Sequence, residues 1–143
     1  MKNDLFHEIH QKARLSVKEA NVLLKRYGLY SSQWSILALL KRRGPMSQTD
    51  IWQYLNVEAP TVTRTVIRLE EQGWVVRKEG RDKRERIVQL TEKSEGSLAD
   101  IAEQIRAQEE FLLSGLTDEE QELLLTLLRK INADSTGKEG LDG

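Results

Sequence analysis

The chain contains no cysteine. That excludes a disulfide framework, a thiolate zinc site and thiol-based redox sensing within it. No apolar run approaches the roughly 18 residues needed to span a bilayer, so no membrane partner is expected. The start, Met1-Lys2-Asn3-Asp4-Leu5-Phe6-His7-Glu8, is charged too early for a signal peptide and lacks an uninterrupted apolar stretch. A cytoplasmic location is the resulting expectation. Catalytic patterns are missing as well. There is no Ser-His-Asp arrangement, no carboxylate pair set in an apolar run and no phosphate-cradling glycine loop, so an enzyme is not expected. Histidine is limited to two residues, His7 and His10, one helical turn apart. They could share a metal with Glu8 or a second copy of the chain, but a pair of surface histidines is the simpler reading. No metal or cofactor is expected.

What is present is a strong charge asymmetry hidden in a net charge of −1. Lys and Arg exceed Asp and Glu by three over residues 1–30 and by four over residues 31–93, then fall eight short over residues 94–143. The acidic excess is confined to the last third, leaving the first two thirds fit to meet a polyanion. At 143 residues the chain is long enough for one domain with a real core, or one domain plus a dimerisation arm.

Apolar periodicity predicts the elements. Leu5, Ile9, Ala13, Val17, Ala20 and Leu24 recur at three- or four-residue steps, one helical stripe from about Leu5 to Arg26 that Gly28 ends. Ser31 or Ser32 is expected to cap a second helix through Lys41, with Trp34, Ile36, Leu37 and Leu40 as its buried face. Gly44-Pro45 stops it, and Met46 suits a short strand. Ser47 with Asp50 has capping-box spacing for a third helix, in which Ile51 and Leu55 point inward. After the turn Asn56-Val57-Glu58-Ala59, Pro60 suits the first position of a helix running to Gln72, stopped by Gly73. Trp74–Lys78 and Glu85–Leu90 are β-prone runs flanking a charged tip, hence a hairpin. Thr91 is expected to cap a helix reaching toward Gly115. Thr117 with Glu120 starts a last helix rich in leucine, and the tail from Asp134 to Gly143 has a disordered composition.

The segment from Ser47 to Thr91 narrows function most. The helix beginning at Pro60 has Val62, Val66 and Leu69 on one face. At 100° per residue, Thr61, Arg64, Thr65 and Arg68 fall on the remaining arc. Arginine's planar fork can donate to O6 and N7 of guanine together, and hydroxyls suit phosphates or the thymine region. Ser47, Gln48 and Thr49 stand at a helix N-terminus, where amides and hydroxyls favour phosphate. The tip Gly80-Arg81-Asp82-Lys83-Arg84 carries Arg81, Lys83 and Arg84, and a tip arginine can enter a narrow minor groove. Asp82 is expected to pair with a neighbouring arginine and fix its direction. A helix–turn–helix followed at once by a basic hairpin is what reading duplex DNA requires. The competing reading is the same module turned to a protein partner, with Arg64 and Arg84 on a protein interface.

With these residues in view, the chain resembles the MarR family of winged-helix transcription regulators. The hairpin matches the family's D-x-R-x-x-x-V-x-L-T signature as Asp82, Arg84, Val88, Leu90 and Thr91. Ala59-Pro60-Thr61-Val62-Thr63-Arg64, leading to Arg68-Leu69-Glu70-Glu71-Gln72-Gly73-Trp74-Val75, is similar to the family's recognition helix and its exit into the wing. Ser32-Gln33-Trp34-Ser35-Ile36-Leu37 and Gly44-Pro45-Met46-Ser47-Gln48 are similar to the elements before it. The resemblance implies a mainly α fold with a small β-hairpin wing: a winged helix-turn-helix whose N- and C-terminal helices form a dimerisation arm. It divides the chain into an N-terminal dimerisation helix (1–30), a DNA-binding lobe (31–91), C-terminal dimerisation helices (92–133) and the tail (134–143). It adds Thr63 to the DNA-contacting residues and implies an obligate homodimer, for which Leu5, Ile9, Leu123, Leu124, Leu127 and Ile131 are the interface candidates. Such a dimer is expected to repress from a pseudo-palindromic operator with half-sites roughly 34 Å apart, and to be released by a small effector. Tyr27, Tyr30 and Trp34 are the candidate lining of an effector pocket.

Overall fold

The computed structural model describes residues 2–82 and 84–133, apart from the side chains of residues 2 and 3. Lys83 and the tail 134–143 lie outside the described residues. Among the described residues no helix is long and apolar enough to cross a membrane. The fold is mainly helical with one small antiparallel sheet. The chain divides into two compact units, Met1–Gln108 and Glu109–Gly143.

The first unit opens with α1 (Lys2–Leu24), which passes into a 3-10 turn (Lys25–Tyr27). Gly28 ends it at φ 71°, a left-handed conformation that costs other residues a steric clash with Cβ. Helix α2 (Ser31–Arg43) follows. Its cap is Tyr30, one residue before the expected serines. Gln33 takes over the work of a capping side chain by accepting the Tyr30 N–H at 2.9 Å. The Ser31 N–H instead goes to Asn21 Oδ1 of α1 at 2.7 Å. Lys41, Arg42 and Arg43 occupy the last turn of α2, where cations complement the helix dipole.

The short strand β1 (Met46–Ser47) leads into α3 (Gln48–Leu55), capped as expected by the Ser47 hydroxyl accepting from Asp50 N. Asn56 turns the chain at φ 57° into α4 (Ala59–Glu71). Pro60 is therefore the second helical residue rather than the first, equally free of any need for an N–H. Gly73 at φ 87° releases the chain into β2 (Val75–Glu79), which pairs with β3 (Arg86–Leu90) from Val75↔Leu90 to Glu79↔Arg86. The other edge of β3 holds β1, giving the order β1-β3-β2. Thr91 stands just before α5 (Glu92–Leu112) but does not cap it by its hydroxyl. That hydroxyl donates to the Gly73 carbonyl at 2.8 Å, so a tertiary partner displaces the local one.

One core joins these elements. Leu24, Leu37, Leu40, Ile51, Val62, Val66, Leu69, Val75, Val88, Leu98 and Ile101 are all essentially sealed from solvent. The apolar stripe of α4 thus meets α2, α3 and the sheet. In the second unit, α6 (Asp118–Lys130) starts with the complete capping box foreseen: Thr117 Oγ1 accepts from Glu120 N, and Glu120 Oε1 accepts from Thr117 N. Leu123, Leu124, Leu127 and Leu128 on α6 are all exposed, as is Ile131 just past it.

Leu69 is 0% exposed at the heart of this packing, so Leu69→Ala is expected to lower unfolding stability by about 2–5 kcal/mol. In urea titrations at fixed protein concentration the midpoint should fall while the slope stays the same.

Candidate nucleic-acid interface

The burial of Val62, Val66 and Leu69 sets the roll of α4 about its own axis. Thr61, Arg64 and Arg68 are consequently exposed on the opposite arc, together with Ile67. Thr65 is half-buried, and its hydroxyl turns back to the Thr61 carbonyl at 2.8 Å. Thr63 is half-buried too. It donates to the Ala59 carbonyl at 3.1 Å and accepts from Gln48 Nε2 at 3.2 Å. Gln48 and Thr63 therefore tie α3 to α4, and the buried Gln48 Oε1 has no protein partner among the described residues. Ser47 is buried with its hydroxyl engaged in the cap, whereas Thr49 is exposed.

The wing is fixed to this helix by an ion pair. Arg77 of β2 directs Nε and Nη2 to Glu70 Oε1 of α4, at 3.2 and 2.9 Å. At the tip, Arg81, Asp82 and Arg84 are exposed, and Lys83 lies outside the described residues. Asp82 directs its neighbour through the main chain: Oδ1 accepts the Arg84 N–H at 3.1 Å, an Asx-type turn. The Glu85 N–H donates to the Asp82 carbonyl, and the Gly80 N–H donates to the Glu85 carbonyl, which closes the loop. The side chain of Glu85 folds over Gly80 so closely that a Cβ there would sit 2.9 Å from three of its atoms.

The three aromatic candidates do not converge. The Tyr27 hydroxyl accepts from Gln104 Nε2 at 2.7 Å, and Trp34 packs against the core. Only Tyr30, 63% exposed, borders an open cleft of about 1100 Å³. Its other walls include Arg14, Val17, Lys18, Asn21 and Val22 of α1, Lys25 of the 3-10 turn after it, and Arg68 and Gln72 at the end of α4. Arg14, Lys18 and Lys25 were not among the sequence-derived site residues. Their spacings of four and seven along the helix predicted from Leu5 to Arg26 are the available signal. His7 and His10 are both exposed on α1, and the ring of His10 lies beside that of Phe6.

A three-helix module with an outward cationic face on its last helix and a basic antiparallel hairpin beside it is a winged helix-turn-helix. The model of the MarR family matches residues 29–85, the span of α2 through the wing tip. The HTH-type transcriptional regulator YwoH of Bacillus subtilis is 53% identical over 125 residues, 87% of this chain and 91% of that protein. Among solved structures, a mutant of MarR from E. coli complexed with operator DNA is similar at TM-score 0.76 and 26% identity, covering 90% of this chain and 93% of that one. The transcriptional regulator BldR from Sulfolobus solfataricus is similar at TM-score 0.79 and 30% identity, covering 91% and 96%. The chain belongs to the MarR family of transcription regulators and is not an enzyme.

The Asx turn makes a prediction about the tip. Asp82→Ala should speed hydrogen exchange at the Arg84 amide, and Asp82→Asn, which retains the acceptor oxygen, should leave it near wild type. Equal exchange in all three proteins would show that the carboxylate does not hold the tip.

Proposed function

We propose that the protein is a homodimeric transcriptional repressor in the cytoplasm, which reads a pseudo-palindromic operator and is released by a small effector. The observation that carries the DNA-reading part is the outward face of α4, where Arg64 and Arg68 stand exposed one turn apart, with Arg81 and Arg84 exposed at the wing tip as well. A helix of this width enters the major groove, and the hairpin reaches the flanking minor groove and phosphates. Thr49, Thr61 and Thr65 are suited to phosphate or thymine contacts, with Ser47, Gln48 and Thr63 shaping the entry to the helix. Lys83 belongs to the same basic tip. The MarR mutant to which the chain is similar is held on operator DNA.

Exposed apolar residues support the dimer. Leu123, Leu124, Leu127 and Ile131 are between 41% and 58% exposed, and Leu5 on α1 is 55% exposed, more apolar surface than water favours on a lone chain. The cleft beside α1 supports the effector. Arg14, Lys18, Lys25 and Arg68 line it among Val17, Val22 and Leu29, with no carboxylate in its walls among the described residues. That composition suits an anionic molecule with an apolar body. Arg68 belongs to both the cleft and the outward face of α4, so an anion bound there draws on a cation that DNA also uses.

Fluorescence anisotropy on the promoter beside the protein's own coding region tests the first part. Arg64→Ala should weaken specific binding by about 1–3 kcal/mol and relax sequence preference, and Arg84→Ala should lower the salt slope by about 1. Unchanged affinity of both variants across salt concentrations would sink the DNA-reading face. For the dimer, sedimentation of a Leu123→Asp, Leu127→Asp double variant should show monomer or aggregate. A stable, well-folded dimer of that variant would count against the assignment.

A further inference from the structure

Apolar packing fixes the depth and roll of α4 but is non-directional, so it does not by itself set how the helix is registered along its length. Directional bonds do that. Two of them stay inside the winged module: Gln48 to Thr63 near the start of α4, and Arg77 to Glu70 near its end. A third set reaches past the module to Gly28. Gln72, the C-cap of α4, accepts from Gln33 Nε2 at 3.0 Å and donates through its own Nε2 to the Gly28 carbonyl at 3.1 Å. Gln33 is 4% exposed, and its remaining amide oxygen accepts the Tyr30 N–H. The Ser31 N–H is bonded to Asn21 of α1. A continuous set of neutral amides therefore runs from α1, through the elbow at residues 28–31, to the end of α4.

We propose that Gln72 is a positioning residue for operator binding: its side-chain amide registers the recognition helix against the α1–α2 elbow and so sets the distance between the two recognition helices of the dimer. This rests on the DNA-reading homodimer proposed above. Gln72 sits one turn beyond Arg68, and both border the cleft along α1. An occupant of that cleft would meet the amide that holds the helix end. Removing the amide leaves the buried Gln33 Nε2 without its acceptor, which favours a shift of the elbow or the helix to restore one. Because the linkage carries no charge, its effect on DNA binding is independent of ionic strength, unlike the contacts of Arg64 or Arg84.

The test uses the full chain and duplexes that the wild-type protein selects from a random library. These are lengthened or shortened by one base pair between half-sites. Wild type should prefer the selected spacing. In Gln72→Ala that preference should fall by about tenfold, the size expected for two neutral hydrogen bonds. Non-specific affinity and the salt slope should stay at wild-type values. Gln72→Glu keeps the acceptor for Gln33 but sets a carboxylate against the Gly28 carbonyl, and should also flatten the spacing preference. Three results would overturn the proposal. One is an unchanged spacing preference in both variants, whatever their melting temperatures, which leaves Gln72 only a structural role. Another is an equal loss of affinity at every spacing, which makes Gln72 a direct DNA contact. The last is a wild-type protein that selects no sequence at all, in which case the DNA-reading proposal falls first and this one with it.

Discussion

The structure depends on one constraint: α4 has a single apolar stripe, and the core accepts only that stripe. Val62, Val66 and Leu69 are at most 1% exposed. Rolling the helix by a single residue would carry Thr63 or an arginine toward the core in their place. An unpaired guanidinium there would cost several kcal/mol, far more than any local preference could return. The cationic arc is therefore turned outward by what the other arc must do. The wing inherits the same reference frame. The Trp74 N–H bonds to the Leu69 carbonyl, and Arg77 reaches back to Glu70, so the hairpin leaves the helix in a fixed direction.

Charge follows the same division of labour. The basic excess lies over residues 1–93 and the acidic excess beyond, and the acidic α6 belongs to a unit separate from the winged module. Within the module, two carboxylates near cationic side chains have orienting roles. Glu70 holds Arg77, which is half-buried and directed along the sheet. Asp82 takes a main-chain N–H and leaves the guanidinium of Arg84 exposed. Membership of the MarR family accords with this plan.

Much of the fold was legible because its signals are local. The stripe of α1, the caps Ser47 and Thr117, the stops at Gly28 and Gly73, and the two β-prone runs each declare themselves within a few residues. The outward arginines were legible for the same reason, as the complement of an apolar stripe. What escaped were polar contacts between distant residues. Gln33 and Gln72 are 39 positions apart, and nothing in either neighbourhood announces the other. Thr91 looked like a cap because the helix after it is adjacent, yet the Gly73 carbonyl, distant in sequence, holds its hydroxyl. Gln48 is assigned to DNA by its place at a helix N-terminus and Thr63 by the family resemblance, and the pairing of the two between α3 and α4 is invisible to both arguments. The aromatic candidates failed to converge for a related reason. Tyr27 and Trp34 face inward, and residue type carries no direction. The basic lining of the cleft was passed over because the reading of α1 followed only its apolar side.

The Thr91 hydroxyl has a mechanical consequence. It bonds to the carbonyl of Gly73 and more weakly to that of Trp74, while the Thr91 N–H bonds to Trp74 as well, so both strands are riveted where they leave the core. Beyond that rivet the hairpin extends five paired residues, about 17 Å at the usual rise per residue. It is a lever with its fulcrum at the core. A tilt of about 10° at the fulcrum sweeps the tip through roughly 3 Å over that length, the span of one base-pair step. In the DNA-reading role proposed above, small adjustments at Gly73 and Thr91 become a choice of which step along a groove the tip arginines address.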